Sequence, residues 1–229
     1  MKTAVIVPAL NEEGNIESLV RQLLARAAVT WVVVADNGSD DGTAAAAERS
    51  GAFVISEPRR GYGYACAAGT EAALRLGAET LIFIDGDFSS SPAEIERLLQ
   101  PLYAGAADLV LGSRTLGQID AGAMPSHQLF GNKLSSWLMS WLYQVKVTDL
   151  GPFRAIRAEL LLSLKMEEMS FGWPTEMMVK SARQGARIVE VPVSWRARRS
   201  GSSKVGGTVR GSILAAYHIM RVTLRYALS

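Results

Sequence analysis

Two carboxylates one residue apart, Asp85 and Asp87 in Ile84-Asp85-Gly86-Asp87-Phe88, follow directly on an apolar run from Thr80 to Ile84. Carboxylate oxygens are hard ligands, and a pair at this spacing suits a Mg²⁺ or Mn²⁺ ion carrying a phosphate. A short Asp-x-Asp is also an ordinary solvated turn, so its setting decides. Three comparable stretches close earlier apolar runs. Val7-Pro8-Ala9-Leu10-Asn11-Glu12-Glu13 leads into a helix, whose N-terminus favours anions, although Asn15 could make it a plain cap. Asp36-Asn37-Gly38-Ser39-Asp40-Asp41-Gly42-Thr43 makes a tight turn whose carboxylate can accept hydrogen bonds from a base or a ribose. In Pro58-Arg59-Arg60-Gly61-Tyr62-Gly63, arginine and paired glycines suit close approach to a diphosphate. No Gly-x-Gly-x-x-Gly follows the first strand, which sets aside a dinucleotide fold.

These stretches need a scaffold that gathers them. The pattern predicts strands over Ala4–Pro8, Trp31–Ala35, Ala52–Ser56, Thr80–Ile84 and Leu109–Gly112, alternating with helices over Ile16–Ala27, Thr43–Ser50 and Tyr64–Leu76 and a fourth opening at Ser91-Pro92-Ala93-Glu94. Continuous apolar strands alternating with helices mean an α/β fold with a mostly parallel sheet covered on both faces. Ligands of such sheets bind beyond the carboxyl ends of the strands, where all four stretches fall. From Leu116 the rhythm changes: a loop over Gly117–Pro125, a Trp/Leu-rich segment Leu134–Tyr143, a turn at Asp149–Pro152, a helix around Thr175–Gln184, a strand Ile188–Val193, a basic Gly/Ser-rich loop and a final amphipathic helix. No linker interrupts it. The chain reads as one domain, 1–229, with 1–115 binding the first ligand and 116–229 completing the site.

The 229 residues suffice for one sizeable core, and 48% hydrophobic with 20% charged residues excludes a disordered chain. The lone Cys66 precludes an internal disulfide, and with only His127 and His218 there is no Cys/His zinc site. A reducing compartment is expected, and no signal peptide. No apolar window reaches the roughly 18 residues that span a bilayer. The net charge of +2 is unevenly placed. Beyond Glu190 there are no acidic residues, but Arg196, Arg198, Arg199, Lys204, Arg210, Arg221 and Arg225. A basic tail on an acidic body suggests an anionic partner. The tail lacks the interleaved aromatics of a nucleic-acid binder, so nucleic acid is not expected.

Val7-Pro8-Ala9-Leu10-Asn11-Glu12, Asp36-Asn37-Gly38-Ser39-x-Asp41-Gly42-Thr43, Gly61-Tyr62-Gly63 and Asp85-Gly86-Asp87 resemble the successive signatures of family 2 glycosyltransferases of the GT-A, Rossmann-like fold. Gly112-Ser113-Arg114, Thr148-Asp149-Leu150-x-x-Phe153-Arg154, Glu176, Val191-Pro192-Val193 and Ser203-Lys204-x-Gly206-Gly207 resemble the dolichol-phosphate mannose synthase (polyprenyl-phosphate glycosyltransferase) branch. One departure stands out: the family's paired aspartates are Asp36-Asn37 here. The resemblance implies an inverting hexosyl transfer from a UDP- or GDP-linked sugar, with Mg²⁺ or Mn²⁺ on Asp85 and Asp87. It also implies donor contacts from Pro8, Glu12, Asp36, Arg60, Gly61 and Asp85.

The acceptor decides what else is needed. A polyprenyl phosphate is already anionic and needs positioning cations, for which Arg114, Arg154 and Lys204, with Ser203, stand at the family-matched positions. A hydroxyl acceptor needs a carboxylate base, Asp149 first and Glu176 second; Asp149 could equally be structural. A non-catalytic nucleotide-sugar binder is the third reading. In the last helix, His218, Arg221 and Arg225 share one face, and Ile213, Tyr217, Met220, Leu224 and Leu228 form an apolar stripe. With Trp137, Leu138, Met139, Trp141 and Tyr143 these could contact lipid or simply pack on the sheet. The expected place is the cytoplasm, with peripheral contact at the inner membrane face as the lipid-acceptor reading requires.

Overall fold

The computed structural model describes residues 1–200 and 209–227. Its first half alternates strand and helix: β1 (Thr3–Ala9), α1 (Glu13–Leu24), β2 (Trp31–Asp36), α2 (Thr43–Arg49), β3 (Phe53–Ser56), α3 (Tyr62–Arg75) and β4 (Thr80–Phe83). β2 and β4 flank β1 in parallel, and β3 joins β2 in parallel. Alternate β1 residues point to opposite faces and find a core on each. Val5, Val7 and Ala9 pack with Ile16, Leu19 and Leu23 of α1, while Ala4 and Ile6 pack with Cys66 and Ala73 of α3. Burial on both faces is why these strands read as unbroken apolar runs. α3 lies close because of Gly69, where a side chain would meet Ile6 Cγ2 at 2.6 Å.

The second half contributes α4 (Ile95–Tyr103), β5 (Leu109–Ser113), α5 (Ser126–Tyr143), β6 (Arg154–Arg157), α6 (Ala158–Leu164), α7 (Trp173–Arg183), β7 (Ile188–Pro192) and α8 (Val209–Ala227). The sheet order is β3-β2-β1-β4-β6-β5-β7. β6 enters antiparallel between β4 and β5, and β7 runs parallel to β5. The sequence pattern predicts neither β6 nor α6. Arg154-Ala155-Ile156-Arg157 has only two apolar residues between charges, yet Ala155 and Ile156 are fully buried. The arginines are tolerated because each finds backbone acceptors: Arg154 the carbonyls of Gly151 and Pro174, Arg157 that of Leu102. Helix α5 begins at Ser126, well ahead of the Trp/Leu-rich segment, and stops where Gln144 turns left-handed with φ of 55°. Ser91 makes no side-chain cap to the short 3₁₀ turn at Pro92–Glu94 that precedes α4. Among the described residues, no helix is long and apolar enough to cross a membrane.

The carboxyl ends of β1 to β4 lie along one sheet edge. The loops after them collect the polar stretches singled out in the sequence.

Candidate active site

A cleft of about 1320 Å³ runs along that edge, lined on its inner side by Pro8, Glu12, Asn37, Arg60, Gly61, Asp85, Asp87 and Arg114. Seven of these eight were expected from the sequence as donor, metal or acceptor residues; Asn37 stood only in the turn motif beside Asp36. Asp85 sits at the base, where its Oδ1 accepts a hydrogen bond from the Tyr62 hydroxyl at 3.2 Å. Burial, and then the neighbouring Asp87 carboxylate, push Asp85 up to about 7. Asp87 Oδ1 accepts from the Ser89 amide at 2.9 Å, leaving Oδ2 3.8 Å from Arg198. Among the described residues no three His, Cys, Asp or Glu gather as a closed metal site. Two carboxylates and an open side still fit Mg²⁺ or Mn²⁺, which commonly takes one or two protein carboxylates and fills its shell with substrate phosphate and water.

The wall beside this pair is built by backbone. Gly61, with φ of 152°, packs so tightly that a side chain there would lie 2.6 Å from the Met169 carbonyl. Only glycine meets both conditions. Asn37 holds that loop in place: its Nδ2 donates to the carbonyls of Glu57 and Arg59 at 3.0 and 2.7 Å, and its Oδ1 accepts from Gly61 N at 2.8 Å. Asp36 is buried against its own turn, with both carboxylate oxygens 3.3 Å from the Ser39 amide, and it does not line the cleft. Arg60 is exposed, 3.6 Å from Asp40.

At the far side, Asp149 is 1% exposed and wholly engaged beneath Arg114. It accepts from Arg114 N, Nε and Nη2 at 2.7, 2.7 and 2.6 Å. The guanidinium also lies over the Trp195 ring, 4.8 Å from its centroid. Glu190 completes the support, accepting from the amides of Thr148 and Asp149 at 2.8 and 3.1 Å. Asp149 therefore positions an arginine and is not presented as a base. Glu176 is likewise sealed, at 0% exposure. It accepts from Lys180, Tyr226 and the amides of Glu167 and Glu168. Burial alone would raise its pKa, but these bonds outweigh it and hold the carboxylate ionised. It lies in the first turn of α7, covered by Tyr226 of α8, and does not line the cleft. Arg154 is 2% exposed, both its terminal nitrogens donate to backbone carbonyls, and burial lowers it to about 10. The geometry does not offer it to an acceptor phosphate. Ser203 and Lys204 lie outside the described residues.

The fold thus gathers Pro8, Glu12, Arg60, Gly61, Asp85, Asp87 and Arg114, and leaves Asp36, Asp149, Arg154 and Glu176 behind the surface. It adds Tyr62, His127, Trp195 and Arg198, to which the sequence reading gave no role at the site. Tyr62 lay inside the Gly61-Tyr62-Gly63 motif and Arg198 in the basic tail; His127 and Trp195 carried no signal.

A glycosyl transferase family 2 model matches residues 4–164. The chain belongs to glycosyl transferase family 2. It is 38% identical over 218 residues to a Mycobacterium tuberculosis glycosyltransferase of uncharacterized function, covering 95% of this chain and 96% of that one. It is 31% identical over 225 residues to the undecaprenyl-phosphate mannosyltransferase of Micrococcus luteus, with 92% and 90% covered. Among solved structures, glucosyl-3-phosphoglycerate synthase of M. tuberculosis, crystallised with Mn²⁺, UDP and phosphoglyceric acid, superposes with a TM-score of 0.79 at 24% identity, covering 99% of this chain and 78% of that one. The fold is therefore GT-A, and the protein is a transferase. For this transferase the Asp-to-Asn departure at position 37 has a physical reason. Two carbonyls must receive hydrogen bonds from that side chain, which an ionised aspartate cannot give.

Proposed function

We propose that the transferase moves a hexose, with inversion, from a UDP- or GDP-linked donor to a polyprenyl phosphate at the cytoplasmic membrane face. Asp85 and Asp87 would hold a Mg²⁺ or Mn²⁺ ion, which when bound supplies positive charge to the leaving diphosphate. Glu12 and the turn at Asp36 take the base and ribose, and Arg60 with the Gly61 backbone takes the diphosphate. Arg114, clamped from below by Asp149 and stacked on Trp195, takes the acceptor phosphate, with Ser203 and Lys204 as further phosphate ligands.

One observation carries the choice of acceptor. The two carboxylates that a hydroxyl acceptor would call on, Asp149 and Glu176, are sealed and hydrogen-bonded throughout. A phosphate acceptor needs no base, because it attacks the anomeric carbon as an anion. The rest of the cleft agrees. Its lining also includes Leu150, Phe171, Pro174, Ser135 of α5 and Ile219 of α8, a largely apolar surface that suits a lipid tail. Phe130, Leu134, Trp137 and Trp141 stand on one α5 face at 70%, 47%, 62% and 68% exposure, with Tyr217 of α8 at 60%. Those aromatics do not pack on the sheet; they suit a bilayer interface.

The test is turnover of the purified protein with Mn²⁺ or Mg²⁺, UDP-glucose or GDP-mannose, and a short polyprenyl phosphate. Sugar–phospholipid product, lost in Asp87→Ala and Lys204→Ala, is expected. Transfer to a soluble hydroxyl without lipid would overturn the acceptor assignment. His127, which lines the cleft, favours that second reading as its base, and His127→Ala would then abolish activity.

A further inference from the structure

Arg198 stands where a cation is needed. Its guanidinium pairs with Glu12 Oε1 and lies 3.8 Å from Asp87 Oδ2, and its side chain is only 15% exposed. Glu12 is itself 6% exposed and takes a second hydrogen bond from Asn15 Nδ2 at 2.7 Å. The buried Glu12 and the partly buried Asp87 thus converge on one largely covered guanidinium at the lip of the Asp85–Asp87 pair. Without a counter-charge, carboxylates this close destabilise one another. The backbone around Arg198 is laced to the same spot. Arg196 N donates to Ser89 O at 2.9 Å, Arg199 N to Asp87 O at 3.2 Å, and Ser200 Oγ to Asn15 Oδ1 at 2.7 Å.

We propose that Arg198 is the protein's own counter-cation for this cluster and is exchanged for the divalent ion when the donor loads. The inference rests on the metal assignment made above for Asp85 and Asp87. A divalent ion held by Asp87 would repel the guanidinium that lies 3.8 Å from Asp87 Oδ2, so Arg198 would give up Asp87 and keep Glu12, or turn to the incoming diphosphate. Either movement loosens Arg196–Ser200, whose amides at Arg196 and Arg199 are bonded beside Asp87.

Mn²⁺ binding without nucleotide, followed by the electron paramagnetic resonance signal of the free ion, tests the exchange in wild type, Arg198→Met and Arg198→Lys. Removing a competing positive charge at this range should tighten Mn²⁺ binding about tenfold in Arg198→Met, while Arg198→Lys stays near wild type. In wild type, Mn²⁺ should also speed tryptic cleavage after Arg196, Arg198 and Arg199, a readout that survives if Arg198→Met fails to fold. Equal or weaker Mn²⁺ affinity in a folded Arg198→Met, or tryptic cleavage that Mn²⁺ leaves unchanged, would overturn the exchange and make Arg198 a brace for Glu12. If neither wild type nor variant binds Mn²⁺, the metal assignment fails and takes the exchange with it.

Discussion

The two ends of the cleft are built on opposite electrostatic plans. At the donor end, carboxylates stand at the carboxyl ends of strands and face the cleft, with Asp85 raised by burial and Asp87 at its side. At the acceptor end the carboxylate is below the surface and the cation is above it: Asp149 is hidden and Arg114 is presented. The contrast teaches what each end must bind. On the proposed reading, carboxylates that face the cleft suit a metal ion, and an arginine held from beneath by a buried acid suits an anion. The elements differ too. The donor half buries both faces of β1, β2 and β4, whereas α5 and α8 leave a row of aromatics in the open.

The largest break should come from the donor end. Asp87→Ala removes a cation ligand without touching the core, and turnover should fall about 10²–10³-fold, a loss of several kcal/mol of transition-state stabilisation. Thermal melting should move little, so a large drop in melting temperature would count against a purely functional role.

At the acceptor end the same kind of change should act on stability first. Asp149→Asn leaves Arg114 with its buried partner gone, which costs about 3–5 kcal/mol. Denaturant unfolding should show it, together with a raised KM for the phosphate acceptor and an unchanged KM for the donor. Equal effects on both substrates would erase the distinction drawn between the two ends.

The aromatic face should behave in the reverse way. Trp137→Ala with Trp141→Ala should leave folding within about 0.5 kcal/mol, because the rings are largely exposed. Co-sedimentation with anionic vesicles should nevertheless fall at least tenfold, since each buried ring is worth about 2 kcal/mol. Retained vesicle binding would move the lipid contact elsewhere.

The smallest effect belongs to the frame. Arg187 holds Asp108 bidentately at 2.6 and 2.9 Å, and that hydrogen bonding lowers the carboxyl to about 2. A depressed carboxyl stabilises the fold above its unfolded value, and the contribution is lost as pH falls towards 2. Asp108→Asn should therefore lower the urea midpoint slightly at pH 7 and flatten its decline between about pH 4 and 2.

Much of this was legible beforehand. The strand-ending motifs at Glu12, Gly61, Asp85 and Asp87 announced the polar edge of the cleft, because residues that close parallel strands are brought to one edge by the topology alone. Strand β6 was illegible: four residues with arginine at each end have no period, and only β4 and β5 on either side make them a strand. Asp149, Arg154 and Glu176 show the same limit in the site. Their types suit a base or a phosphate ligand, but type does not say which way a side chain faces.

What the sequence determined by itself, then, was the α/β alternation and the acidic donor edge, both set by local periodicity and chain order. Only the tertiary structure decided that Asp149 lies beneath Arg114, that Glu176 is spent under α8, and that Arg198 returns from far along the chain to Glu12 and Asp87. Those are matters of burial and long-range pairing, and they depend on residues that are neighbours only once the chain has folded.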